Sequence, residues 1–291
     1  MKSKILWIQG LACNGNAHSF LNYPKLDQFL RDFTFIYHPI IDSDFSLPEV
    51  LDSYHDTDIL IIEGSIAKSY KRAGKSIVDT ILLYAPRVKK IVTVGTCATF
   101  GGLFKDSPYS DSSGLIFLEK EQVYRFSEFF DKVISVSGCP IHPETLVNTL
   151  YMIKEEIDIA VDEYHRPKVF FSYTVHNGCT RNEYFEYKVD NHIFGEKEGC
   201  MFYDHGCQAP FTHGSCNKIL WNEVSSKTRV GQPCMGCTEP TFPKRNLYTT
   251  KKNMGIPQEL PIGVHKRAYL TLAGVTKAFR IDRLEKRLFD D

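Results

Sequence analysis

Nine cysteines in a chain of 291 residues restrict this fold more than any other feature, because of where they stand. Their number is odd, so they cannot all pair with one another. The chain runs from Met1-Lys2-Ser3-Lys4 directly into Ile5-Leu6-Trp7-Ile8. That apolar run is too short for a secretory core, and neither a cleavage site nor a twin-arginine signal accompanies it. No stretch has the roughly 18 apolar residues of a membrane span. A cytoplasmic chain without a membrane span is therefore expected. In a reducing compartment disulfides are disfavoured, and thiols more often serve metals or catalysis. Any one cysteine is as well explained as a small buried hydrophobe; the spacing argues against that for the set.

Five short apolar runs, 4–9, 33–37, 58–62, 91–94 and 133–136, predict strands. Helical patterns fall between and after them, notably 77–84, stopped by Pro86, and 143–157, where Pro143 suits a first turn and Glu144 the positive end of the dipole. Strands alternating with helices imply an α/β fold with an open parallel sheet. Ligands of such sheets bind beyond the carboxyl ends of the strands. Cys13, Cys97 and Cys139 each follow closely on a predicted strand, so three thiols should meet on one rim, with Gly10, Gly95 and Gly138 beside them. The first loop has no run of Ser/Thr hydroxyls, so a flavin phosphate is not expected there.

From about residue 168 the periodicity fades into Gly, Pro, Asn, His and aromatic residues. His176, Cys179, Cys200, Cys207, Cys216, Cys234 and Cys237 fall within 62 positions. Bound metal would give such a segment the cohesion its elements lack. Two readings compete. Zinc suits His176, Cys179, Cys200 and Cys207, but a closed site built on the remaining trio lacks a fourth ligand. Iron–sulfur clusters are held chiefly by thiolates, with occasional histidine, and a three-cysteine set suits a three-iron cluster. Spacing favours iron–sulfur. Phe202, Tyr203, Phe211, Trp221 and Phe242 read as packing around such groups; His205 and His213 read as hydrogen-bonding or surface residues. Lys plus Arg equals Asp plus Glu at 35 each, so no charge excess points to nucleic acid or a membrane surface.

The landmarks Leu6-Trp7-Ile8-Gln9-Gly10 with Cys13, Glu63-Gly64-Ser65, Gly95-Thr96-Cys97-Ala98-Thr99-Phe100-Gly101-Gly102, Gly138-Cys139-Pro140, His176-x-x-Cys179, Gly206-Cys207 and Gly231-Gln232-Pro233-Cys234-Met235-Gly236-Cys237-Thr238-Glu239-Pro240 occur in this order over nearly the whole chain. The arrangement resembles the small subunit of nickel–iron hydrogenases, and most of all its cytoplasmic uptake branch, as in cyanobacteria. The resemblance implies a flavodoxin-like domain over 1–165 carrying a proximal cluster on Cys13, Cys97 and Cys139. It implies a loop-rich iron–sulfur domain over 166–291. There Cys216, Cys234 and Cys237 would hold a medial 3Fe-4S cluster, and His176, Cys179, Cys200 and Cys207 a distal 4Fe-4S cluster. The nickel–iron centre would sit in a separate large subunit, leaving no catalytic residue in this chain. A higher oligomer of such heterodimers is expected.

Most of that family has Cys-x-x-Cys in the first loop; here the second position is Asn16. Amide is a poor ligand for iron beside thiolate. Either the proximal group is a 3Fe-4S cluster, or a 4Fe-4S cluster takes a non-cysteine ligand, with Asn16 or Glu63 the candidates; the alternative is that Asn16 only hydrogen-bonds the loop beside a normal cluster. The implied function is relay of electrons from hydrogen oxidation to an unidentified acceptor. A hydrogen-sensing complex and a zinc-stapled binding module are the alternatives. The related quinone-reducing subunit of respiratory complex I carries adjacent cysteines after its first strand, and no Cys-Cys pair occurs here.

Overall fold

The structure, a computed structural model, describes residues 2–106, 111–244, 247–253, 256–261 and 263–278. Residues 280–289, whose charged sequence reads as a terminal helix, lie outside them. Five strands form one sheet: β1 (Ser3–Gln9), β2 (Phe33–Tyr37), β3 (Ile59–Glu63), β4 (Lys90–Val94) and β5 (Val133–Val136). Their order is β2-β1-β3-β4-β5 and every pairing is parallel, the flavodoxin-like order. The α/β open parallel sheet expected from the sequence is thus present.

Strands covered on both faces should be apolar without alternation. Ile5, Trp7, Ile59, Ile61, Val92 and Val94 pack on one face; Leu6, Ile8, Leu60, Ile62 and Ile91 pack on the other. Helix α1 (Gly15–Leu21) and helix α2 (Pro143–Lys154) bury Phe20, Leu146 and Leu150 on the Trp7 face. Helix α2 ends before the expected 157, because Glu156 adopts a left-handed conformation (φ 54) and Ile157 N–H turns back to Met152 O. Strand β3 runs one residue further than expected. Glu63 pairs with Gln9 on one side and Val94 on the other, so its carboxylate belongs to the sheet and not to the loop beyond.

Two compact units divide the described chain. The first comprises the residues up to Ser172 with Trp221–Glu223 and Cys237–Lys244. The second comprises Tyr173–Leu220, Val224–Gly236 and the described residues beyond 246. Regular structure in the second is sparse. Helices Asn182–Tyr187 and Phe202–His205 are short, and among the described residues only Lys266–Ala278 is longer. Its buried apolar cluster is Val175, Met201, Cys207, Ala209 and Cys234. Among the described residues no helix is long and apolar enough to cross a membrane.

Candidate functional site

None of the nine cysteines is in a disulfide. In the first unit, Cys13, Cys97 and Cys139 follow β1, β4 and β5 at their carboxyl ends, with Cys13 exposed and the other two half-buried. Cys97 lies in a short helix, Gly95–Phe100, that starts where β4 stops. Burial pushes its thiol up, and nearby Cys13 and Glu63 add to that; backbone N–H groups of Leu103 and Phe104 donate to it and oppose the rise. Gly102 (φ 50) makes the approach possible, since a Cβ there would lie 2.7 Å from the Cys97 sulfur.

Behind these thiols stands Glu63, fully buried. Its Oε2 accepts from Trp7 Nε1 (3.1 Å) and Gln9 Nε2 (2.8 Å). Its Oε1 accepts from Asn16 N–H (3.1 Å), Asn16 Nδ2 (3.3 Å) and Ala17 N–H (3.4 Å). Asn16 Oδ1 in turn accepts from Ile141 N–H at 3.0 Å. Both candidates for a fourth proximal ligand are therefore occupied with protein partners. Sequence reasoning marked both residues but not their bond to each other, which no spacing reveals.

In the second unit, Cys179, Cys200 and Cys207 are close enough to act on one another electrostatically. Burial pushes Cys200 and Cys207 each up to about 12. Backbone donors meet all three sulfurs: Arg181 N–H at Cys179 (3.4 Å), Phe202 N–H at Cys200 (3.4 Å) and Cys234 N–H at Cys207 (3.3 Å). His176 lies one turn before Cys179, with Phe185 edge-on to its ring at 4.9 Å, and burial lowers its pKa. A neutral imidazole is the form that binds metal. Cys216 and Cys234 belong to the second unit and Cys237 to the first. Thr212 Oγ1 sits 3.7 Å from the Cys234 sulfur. His205 is buried against Phe194 at 4.3 Å, a packing role that spacing did not predict.

Sequence reasoning missed Arg181, which is 4% exposed. Its guanidinium donates to the carbonyls of Thr228 (2.8 Å), Glu198 (2.9 Å), Gly199 (2.8 Å) and Glu196. An arginine two residues after a ligand-type cysteine was the available signal. Missed too was Thr96, whose hydroxyl accepts from Gly138 N–H (3.0 Å) and donates to Cys237 O.

The donor chemistry fits iron–sulfur groups. Desolvated thiols met by N–H donors suit bound thiolates, whose charge the metal offsets. Among the described residues no three His, Cys, Asp or Glu side chains stand close enough to share one metal ion.

Both parts of the chain are similar to known proteins. Residues 171–249 match the C-terminal family of NiFe/NiFeSe hydrogenase small subunits. Residues 13–153 match the NADH ubiquinone oxidoreductase 20 kDa subunit family. The F420 non-reducing hydrogenase II small subunit of Methanosarcina mazei is 32% identical, over 88% of this chain and 78% of that protein. Periplasmic NiFe hydrogenase small subunit 1 of Nitratidesulfovibrio vulgaris is 29% identical, over 83% and 80%. The fold matches a chain of the reduced, active Ni-Fe-Se hydrogenase of Desulfomicrobium baculatum, with TM-score 0.74, 24% identity, and 86% of this chain and 100% of that one covered. It also matches the actinobacterial-type NiFe-hydrogenase of Ralstonia eutropha, with TM-score 0.73, 22% identity, and 99% and 92% covered.

Proposed function

Since the chain belongs to the small subunits of nickel–iron hydrogenases, the electron-transfer partners of the large subunit in those enzymes, we propose that it serves hydrogen uptake through three iron–sulfur clusters in the cytoplasm. Its proximal ligands are Cys13, Cys97 and Cys139, its medial ligands Cys216, Cys234 and Cys237, and its distal ligands His176, Cys179, Cys200 and Cys207. The medial group is of the 3Fe-4S type and the distal group 4Fe-4S. The proximal group is either 3Fe-4S or a 4Fe-4S cluster with a non-cysteine ligand. Residues 1–165 form the domain of the proximal group and 166–291 that of the other two. When bound, these groups supply one-electron steps between the partner's nickel–iron site and an acceptor.

The observation that carries this reading is the placement of backbone N–H donors at the sulfurs of Cys97, Cys179, Cys200 and Cys207, with Cys13 near Cys97 and with Cys179 and Cys200 near Cys207. Those donors stabilise sulfur charge without adding a titrating group. Uptake is favoured by the first loop, where Asn16 stands in place of a thiolate. One negative ligand fewer makes the proximal group easier to reduce, hence a better acceptor from hydrogen. The heterodimers assemble further into a higher oligomer.

Purification through a tag on this chain tests the proposal. A nickel-containing partner should co-purify, with about ten or eleven irons per copy of this chain for three clusters. The complex should reduce a dye with hydrogen faster than it evolves hydrogen from a reduced dye. Zinc in place of iron would overturn the cluster reading, and faster evolution would overturn the uptake reading. Recovery of the complex from the membrane or periplasmic fraction would overturn the placement in the cytoplasm.

A further inference from the structure

Asn16 touches all three segments that carry the proximal thiols. It stands three residues after Cys13, in the first turn of α1. Its Oδ1 accepts from the N–H of Ile141, two residues after Cys139, at 3.0 Å. Its amide packs on Gly95, two residues before Cys97; a Cβ there would lie 2.4 Å from Nδ2 and 2.7 Å from Oδ1. Gly95 holds φ 87, so a side chain at that position is opposed by backbone conformation as well as by space. Nδ2 donates to Glu63 Oε1 at 3.3 Å, tying the same amide to the end of β3. One turn further along α1, Ser19 Oγ donates to Ile141 O at 2.7 Å, so Ile141 is held at both its N–H and its carbonyl. Asn16 and Ser19 are both buried.

Direct ligation would ask this amide to leave a buried network in which both its ends are bonded. A thiolate at position 16 would offer neither a strong donor to Glu63 nor a strong acceptor to Ile141. We infer that Asn16 is a hydrogen-bonded clamp that fixes the spacing of the Cys13, Cys97 and Cys139 loops, and not a metal ligand. This rests on the assignment of those three cysteines to one cluster. The clamp does mechanically what a fourth cysteine does by coordination: it joins the first loop to the rest of the rim. The position opposite the three thiols is then left to a donor other than Asn16, or to no iron.

Ser19 separates the two roles, because its hydroxyl is committed to Ile141 O and has no part in ligation. The purified complex is compared as wild type, Asn16→Ala, Asn16→Asp and Ser19→Ala, by iron and acid-labile sulfide per chain, by the electron paramagnetic resonance of the proximal group, and by amide hydrogen exchange. A clamp predicts that Ile141 exchanges about tenfold or more faster in Asn16→Ala, as expected when a buried bond is lost. It predicts a smaller change of the same kind, with some loss of iron, in Ser19→Ala. Asn16→Asp keeps an acceptor for Ile141 but faces Glu63 carboxylate to carboxylate, so it should lose iron as Asn16→Ala does. The proximal clusters that remain should keep wild-type g-values. A ligand role predicts the reverse: full iron in Ser19→Ala, iron retained by the aspartate, and altered g-values in Asn16→Ala. That pattern, or unchanged exchange at Ile141, would overturn the clamp. If Asn16→Ala does not assemble, Ser19→Ala and Asn16→Asp still decide. Wild-type complex lacking proximal iron would instead refute the cluster assignment itself, a separate failure.

Discussion

Glu63 and His38 are both buried side chains beside Trp7, and their surroundings give them opposite burdens. Glu63 has five N–H donors. His38 is 3% exposed, its Nδ1 accepting from Ile40 and Ile41 N–H at 3.1 Å each, its ring against Trp7 and Phe35 at 4.8 Å. Burial drives its pKa from 6.5 to about 3. Between those values the unfolded chain binds a proton that the folded one refuses. Stability therefore falls with acidification through that window, by up to about 1.4 kcal/mol per pH unit. Above 6.5 the group is neutral in both states and adds no slope. His38→Asn keeps an acceptor near Nδ1 without the titration, so urea midpoints should fall less steeply below pH 6.5 in the variant; equal slopes would count against it. Thr96 offers a second residue-scale case. Thr96→Val keeps the shape but leaves Gly138 N–H and Cys237 O without their shared hydroxyl. Denaturant unfolding should show a loss of about 1–3 kcal/mol. At this scale the sequence displayed the thiols, because residue type and loop position mark them. Their polar neighbours were hidden, because Glu63–Asn16 and Asn16–Ile141 join residues 47 and 125 positions apart.

The elements divide by what ends them. Strands ended by Gly10, Gly64 and Gly95 were legible to within a residue, because turn residues stop them. Helix α2 was read too long, because Glu156, an ordinary residue, takes the left-handed turn a glycine would advertise. The loops of the second unit were legible only as an absence of period. What replaces a ladder there is Arg181, whose fork gathers carbonyls from 196, 198, 199 and 228. This fixes the stretch leading to Cys200, whose N–H bonds Val189 O and whose carbonyl receives Asn191 N–H. A lysine brings one ammonium, unable to span that fork. Arg181→Lys should cost about 3 kcal/mol or more, with buried carbonyls left unpaired. Hydrogen exchange at Asn191 and Cys200 is the measurement, since protection there depends on the loop the fork holds. Unchanged exchange would mean the carbonyls find other donors.

The two units differ in what holds them as wholes. The first has a five-stranded sheet with an apolar cluster on each face. Among the described residues, the second has five in its buried apolar cluster, two of them cysteines of the proposed sites, Cys207 and Cys234. So small an apolar cluster stabilises little by burial alone. Its thiols add a cost when empty: burial raises Cys200 and Cys207 to about 12, so each thiolate forms only at the expense of desolvation unless a metal offsets the charge. Metal binding and folding should then be one process in this unit and nearly separate in the other. Stripping iron from the purified chain with acid and chelator, then returning it to neutral pH, should leave the sheet intact while exchange protection falls across 173–220 and 224–236. Limited proteolysis should cut first in those segments and spare a core within the first 172 residues. Readdition of ferrous iron and sulfide should restore the protection. Equal protection of both units in the iron-free chain would show that the second unit folds on its own packing, and that its cysteines and histidine are guests of a framework that does not need their metal.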